Sequence, residues 1–189
     1  NDDRLVGIVT VDDAIDVMRE ETTEDMELMG GMSPSEKSYR RSTVLDLFRQ
    51  RIPWLLLLMI SATFTGMIIT SFETALAAQV ALTAFIPMLM DTGGNSGSQS
   101  SVTVIRAISL GELKFRDMPM VIWKEIRTAV LCGAVLALVC FFKIMLVDRL
   151  LLGNDGITTT VALVVCITLV ITVFLAKTVG AILPLTAKQ

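Results

Sequence analysis

The 21 residues Ile52–Phe72 carry no charged side chain. A soluble core helix shows water a polar face every 3.6 residues, and this stretch has none. It is also long enough to cross a bilayer, which takes about 20 mostly apolar residues. Three more segments meet the same criterion. Residues 74–105 are interrupted only by Asp91 and the polar patch that follows it; 128–147 hold Lys143 as their one charge, and 156–187 hold only Lys177. With 53% apolar residues and a mean hydropathy of +0.67, the chain is too apolar for an ordinary soluble domain of its size. The expected fold class is all-α: a polytopic helical membrane protein in contact with a lipid bilayer.

The charges divide unevenly. Residues 1–36 hold eleven carboxylates against Arg4 and Arg19, a net of −9, whereas residues 37–189 carry a net of +6. Lys37, Arg40, Arg41, Arg49 and Arg51 precede the first span, and Arg106, Lys114, Arg116, Lys124 and Arg127 lie between the second and third. The remaining loops offer only Arg149. The positive-inside bias therefore predicts a multi-pass protein of the cell membrane with its N-terminus and the 106–127 loop cytoplasmic. Lys177 and Lys143 are expected to snorkel to the inner and outer interfaces, and Trp54 and Trp123 fall at inner interfaces. Ser42–Arg51, with Val44, Leu45, Leu47 and Phe48 set among Asp46, Arg49 and Arg51, reads as an amphipathic surface helix, and Pro53 as the start of the first span. The first 30 residues have neither a basic n-region nor an apolar h-region, so no signal peptide is expected.

Several chemistries are excluded. No histidine occurs, which removes Ser-His and Cys-His dyads and every histidine metal site. Cys132, Cys140 and Cys166 sit in apolar runs without CxxC spacing and read as small buried hydrophobes. Gly94-Asn-Ser-Gly97 spells the GxSG of rhomboid proteases, but the histidine partner is missing. No enzyme is expected, and no nucleic-acid partner.

The most informative stretch is Pro87-Met-Leu-Met-Asp-Thr-Gly-Gly-Asn-Ser-Gly-Ser-Gln-Ser-Ser101, which brings one carboxylate, two amides, five hydroxyls and three glycines to membrane depth. Exposure of such groups to lipid costs several kcal/mol each, so they must face protein or water. Pro87 and the Gly93-Gly94 pair are expected to break or kink the helix, freeing carbonyls that point inward. An oxygen-rich lining with small side chains suits a hard cation or its hydration shell. The competing reading is a helix-packing seam, for which Gly93 and Gly97 supply GxxxG spacing.

Residues 12–29 read as a helix with two opposed stripes. Ile15, Met18, Thr22, Met26 and Met29 repeat at helical spacing, as do Asp13, Asp16, Glu20, Glu24 and Glu27. Glu21 and Asp25 flank the acidic stripe, and only Arg19 offers a basic partner. A generic solvated face would mix signs. Divalent cations shared with other acidic surfaces would relieve the repulsion.

Pro87 followed by Gly93-Gly94-Asn95-x-Gly97-x-Gln99 resembles the signature of the MgtE family of magnesium channels. Ile105-Arg106-Ala107, Gly111-Glu112-Leu113, Trp54-Leu55 after Arg51, and Gly180-Ala181-x-Leu183-Pro184 are similar to that family too. Arg4-Leu-Val-Gly-Ile-Val-Thr-Val-Asp-Asp13 resembles the closing strand and helix start of a CBS domain. The implied organisation is the C-terminal end of a CBS domain at 1–11, an acidic cytoplasmic connecting helix at 12–36, an amphipathic segment approaching the membrane at 37–51, and a transmembrane pore domain at 52–189. The resemblance implies a homodimer in which the second helix and a fifth helix line a pore for hydrated Mg2+. Gly93, Gly94, Asn95 and Gly97 belong to that lining. Asp91, a glycine in some relatives, would add two carboxylates to it in a symmetric dimer. It further implies that cytosolic Mg2+ bound at Asp13, Asp16, Glu21, Glu24 and Asp25 holds the channel shut. The fifth helix, which bears the family's acidic pore residue, has no match in this chain, so a fragment is expected; a nucleotide held by the CBS part would contact residues outside it. The expected function is passive, Mg2+-gated influx of Mg2+. The alternatives are a coupled secondary transporter of divalent cations and a CBS-linked membrane receptor that does not transport.

Overall fold

The computed structural model describes residues 7–35, 38–154 and 156–187 and divides the chain into two compact units, 1–71 and 72–189. The described residues are helical and contain no strand. Most of the strand expected at the end of the CBS remnant lies in residues 1–6, outside the described part; residues 7–10 carry no regular structure.

In the first unit, α1 (Val11–Met29) and α2 (Val44–Ser71) begin with the same device. Thr10 and Asp13 form a capping box: the Thr10 hydroxyl accepts from the Asp13 N–H at 3.3 Å and the Asp13 carboxylate accepts from the Thr10 N–H at 2.9 Å. Thr43 and Asp46 repeat it at 3.2 and 3.0 Å. Each box satisfies N–H groups that have no intrahelical partner. Because α2 starts at Val44, the stretch Ser42–Arg51 is not a separate surface helix but mostly the first turns of a 28-residue helix. Pro53 is accordingly interior, and α2 lacks the bond its N–H would have given to the Arg49 carbonyl. No residue of α2 is buried, as suits a helix whose apolar surface meets lipid. Between the helices the chain turns at Gly31 (φ 68°), a left-handed conformation that favours glycine. A Cβ there would run into the Trp54 indole. The turn is tied down by the Ser33 N–H donating to the Gln50 carbonyl at 3.1 Å and the Ser35 N–H donating to Glu27 Oε2 at 2.9 Å.

In the second unit, the segment expected to span as 74–105 is divided. A short α3 (Glu73–Ala78) ends where Gln79 leaves helical geometry (φ −140°, ψ 71°), a 3-10 turn covers Val80–Phe85, and α4 runs unbroken over Ile86–Ser109. Pro87 does not kink the helix but starts it, in the first turn, where a missing N–H costs nothing. Gly93-Gly94 likewise leaves α4 continuous, since its carbonyls keep their helical partners. Next, α5 spans Met118–Lys143 and continues as a π-helix over Ile144–Leu151, and α6 spans Thr159–Ala187. By length and apolarity Val44–Ser71, Phe115–Leu151 and Thr159–Thr186 can cross a membrane; α4, with 24 residues, has the length but carries the polar patch.

Helix α6 packs against both α4 and α5. Two apolar clusters hold the three helices together. One joins Phe85 and Cys140 to Val161, Val165, Leu169 and Val173; the other joins Val104, Ile108 and Val121 to Ala181 and Leu185. Lys143 does not rely on snorkelling, since its ammonium pairs with Asp148 at 2.8 Å and lies 5.7 Å from the Phe85 ring centroid. Trp123 is exposed, with Arg127 stacked 6.0 Å from its ring.

Candidate functional site

Helix α4 has two opposite polar faces, and they do different things. At 100° per residue, Asp91, Asn95 and Ser98 lie on one side while Gly93, Ser96, Gly97 and Ser100 lie on the other. The first side is exposed along Asp91, Gly94, Asn95, Ser98 and Gln99. There the Asn95 amide donates to both the Asp91 carbonyl and Asp91 Oδ1 at 3.0 Å, which fixes the carboxylate against its own helix.

The second side is a seam with α6. A Cβ on Gly93 would come within 2.7 Å of Thr172 Cγ2, one on Gly97 within 3.1 Å of the Ala176 carbonyl oxygen, and one on Gly180 against the Gly97 carbonyl oxygen. Small residues let the two backbones meet. Of the five residues expected to line a pore, Asp91, Gly94 and Asn95 are therefore exposed, whereas Gly93 and Gly97 are turned into helix packing. The GxxxG spacing already carried that second possibility.

Between the two apolar clusters lies a polar layer that sequence reasoning missed. The Ser100 hydroxyl donates to Glu125 Oε2 at 2.6 Å and faces Lys177 Nζ at 3.5 Å, with Ser100 2% and Lys177 5% exposed. Lys177 thus does not snorkel. It lies on the α6 face that packs against α4 and α5, two turns before Leu185, and is enclosed there. Glu125 escaped notice because the third span was expected to begin at 128; α5 in fact starts at Met118, with Pro119 in its first turn as the signal.

The acidic helix α1 is exposed along most of its length. Asp13 is held by the capping box, and the Thr10 hydroxyl and N–H bonds to it lower its pKa below the ordinary 3.8. Asp16 lies 3.7 Å from Arg19. Glu21 and Glu24 are exposed and Asp25 is half-buried. Among the described residues no three Asp, Glu or Cys side chains gather as a metal site.

Residues 86–189, from the first residue of α4 onward, match the MgtE family profile, described as a divalent cation transporter. The chain is 37% identical over 181 residues to a magnesium transporter MgtE of Thermus thermophilus and 36% identical over 181 residues to one of Bacillus subtilis. Each alignment covers 96% of this chain and 38% of the relative. A magnesium transporter MgtE of Enterococcus faecalis is 33% identical over 137 residues, 72% of this chain and 30% of the relative. The chain thus spans about two-fifths of the length of the first two relatives. The family consists of transporters, not enzymes. With its unbroken polar helix coinciding with the start of the matched region, this helical membrane protein belongs to the MgtE family of divalent cation transporters.

Proposed function

We propose that the chain forms the membrane part of a homodimeric, passive Mg2+ channel whose conducting path runs along the exposed face of α4. The observation that carries the reading is the pairing of Asp91 and Asn95 on the exposed side of α4, opposite its seam with α6. Charged and amide groups at membrane depth require water or protein beside them, and a path for a hydrated cation supplies water. Magnesium as the ion follows from the names of the three relatives. Asp91, Gly94 and Asn95 line the path; Gly93 and Gly97 hold the lining helix in place. Uptake is driven by the membrane potential, about 2.3 kcal/mol per charge per 100 mV.

The same reading gives α1 the role of cytosolic sensor, with the N-terminus inside and a CBS module before it. A single-sign stripe repels its neighbours, and Mg2+ shared between Asp13, Asp16, Glu21, Glu24, Asp25 and acidic surfaces outside this chain favours the closed state.

Cysteine scanning along α4 in the full-length protein tests the path, with Cys132, Cys140 and Cys166 replaced by alanine. Positions 91, 95 and 98 should react with a membrane-impermeant thiol reagent and be protected by Mg2+, while 96 and 100 stay unreactive. Equal reactivity on both faces, or none on either, refutes the path. Uptake that follows a proton or Na+ gradient would instead favour a coupled transporter.

A further inference from the structure

The Ser100–Glu125–Lys177 layer raises a question that helix packing does not answer. A lysine 5% exposed between three membrane helices is costly unless it is compensated, and apolar residues above and below it would pack as well. Its ammonium meets Ser100 Oγ at 3.5 Å, a long contact, while the short 2.6 Å bond of that hydroxyl goes to Glu125. The two charges are thus joined through one hydroxyl rather than by direct contact. Ser100 lies on α4, directly behind the exposed Asp91–Asn95–Ser98 face and five residues beyond Asn95. One helix thickness, about 10 Å, separates the layer from that face. Across low-dielectric protein, single charges act over such a distance.

We propose that the half-buried Glu125 and the buried Lys177 cancel one another's charge behind the exposed face of α4, so that the potential there, and with it the rate at which cations pass, is left to Asp91. The proposal rests on the transport reading above and deepens it. Both residues are positioning groups that never touch the ion. Neutral as a pair, they leave the attraction of Asp91 for cations intact. Without Glu125 the lysine stands alone behind the path and repels cations; without Lys177 the carboxylate stands alone and attracts them.

The two charges must therefore act with opposite sign, and on Mg2+ more than on a monovalent ion. Conductance is measured on the full-length protein in planar bilayers, with Mg2+ or with K+ as the permeant ion. E125Q should lower Mg2+ conductance about tenfold and K+ conductance about threefold, because the same potential acts on half the charge. K177Q should raise Mg2+ conductance, and by a larger factor than K+ conductance, and the double variant E125Q/K177Q should return to the wild-type ratio of Mg2+ to K+ conductance. Because E125Q leaves a buried unpaired charge and can fail to fold, the double variant and K177Q carry the test without it. A K177Q variant whose Mg2+ conductance is unchanged or lowered overturns the proposal, as does a double variant with an altered ion ratio. A wild-type protein that passes no Mg2+ overturns the transport reading itself, which distinguishes the two failures.

Discussion

Substituting Gly180 by alanine puts a methyl group into the narrowest part of the α4–α6 seam. The atom it meets is the carbonyl oxygen of Gly97, part of a helix backbone that cannot rotate aside as a side chain would. Ordinary contact begins at 3.4 Å, so the helices must part by roughly 1 Å to admit the methyl. A gap of 0.5–1 Å forfeits about a quarter to a half of each atom pair's dispersion well of about 0.1–0.2 kcal/mol. Over roughly 30 pairs at a crossing the loss is about 2 kcal/mol, within the usual range of about 1–3 kcal/mol for overpacking. Gly66 provides the control, because a Cβ there meets nothing within 4 Å and alanine should stabilise helix α2 by about 0.5–1 kcal/mol. Thermal unfolding of the full-length protein in detergent, followed by loss of the monodisperse chromatographic peak, should rank G180A below wild type and G66A at or above it. A G180A protein as heat-resistant as G66A would refute the close approach of α4 and α6 on which the site geometry depends.

Other consequences are smaller in scope. D91N should reduce Mg2+ conductance about tenfold, since one charge about 6 Å from Mg2+ in a water-like medium contributes about 1.4 kcal/mol; unchanged conductance would remove Asp91 from the path. T10A should speed amide exchange in the first turn of α1 roughly fivefold, by loss of its cap. Asp13 has a lowered folded pKa, so its capping contribution is fully present above the ordinary 3.8 and is lost as pH falls through the folded value. Protection of that turn should accordingly stay flat from about pH 5 to 8 and drop in acid; a drop near neutrality would contradict the capping box. G31A should shift the emission of Trp54, read in a W123F background, because the φ of 68° and the indole both exclude a methyl group.

Much of this architecture can be read from the residues, and the misreadings share a cause. Helix α1 follows from its two stripes, and α2 and α6 from long apolar runs, because both signals are local. The division of 74–105 is hidden because Val80–Phe85 stays apolar while the backbone changes, and the chain resets at Gln79 without a glycine or proline. Pro87 was the available marker, but a proline that starts a helix and one that kinks it look alike until the preceding residues are placed. Lys177 shows the limit most clearly. Its position near the end of an apolar run suits snorkelling, and only the packing of α6 against both α4 and α5 encloses it. The polar patch poses the same problem twice over: composition places it at membrane depth, but separating the Asp91–Asn95 face from the Gly93–Gly97 face takes an unbroken helix and a neighbour on one side. The acidic stripe is legible as a stripe, whereas a metal site needs ligands that converge from more than one element.

The central claim is that α4 lines a passive path for Mg2+ governed by cytosolic Mg2+. The most direct test is recording from the full-length protein in inside-out patches with Mg2+ as the sole permeant cation. The account predicts unitary currents that disappear as bath Mg2+ rises. Mg2+ uptake without unitary currents, tied to a proton or Na+ gradient, would contradict it.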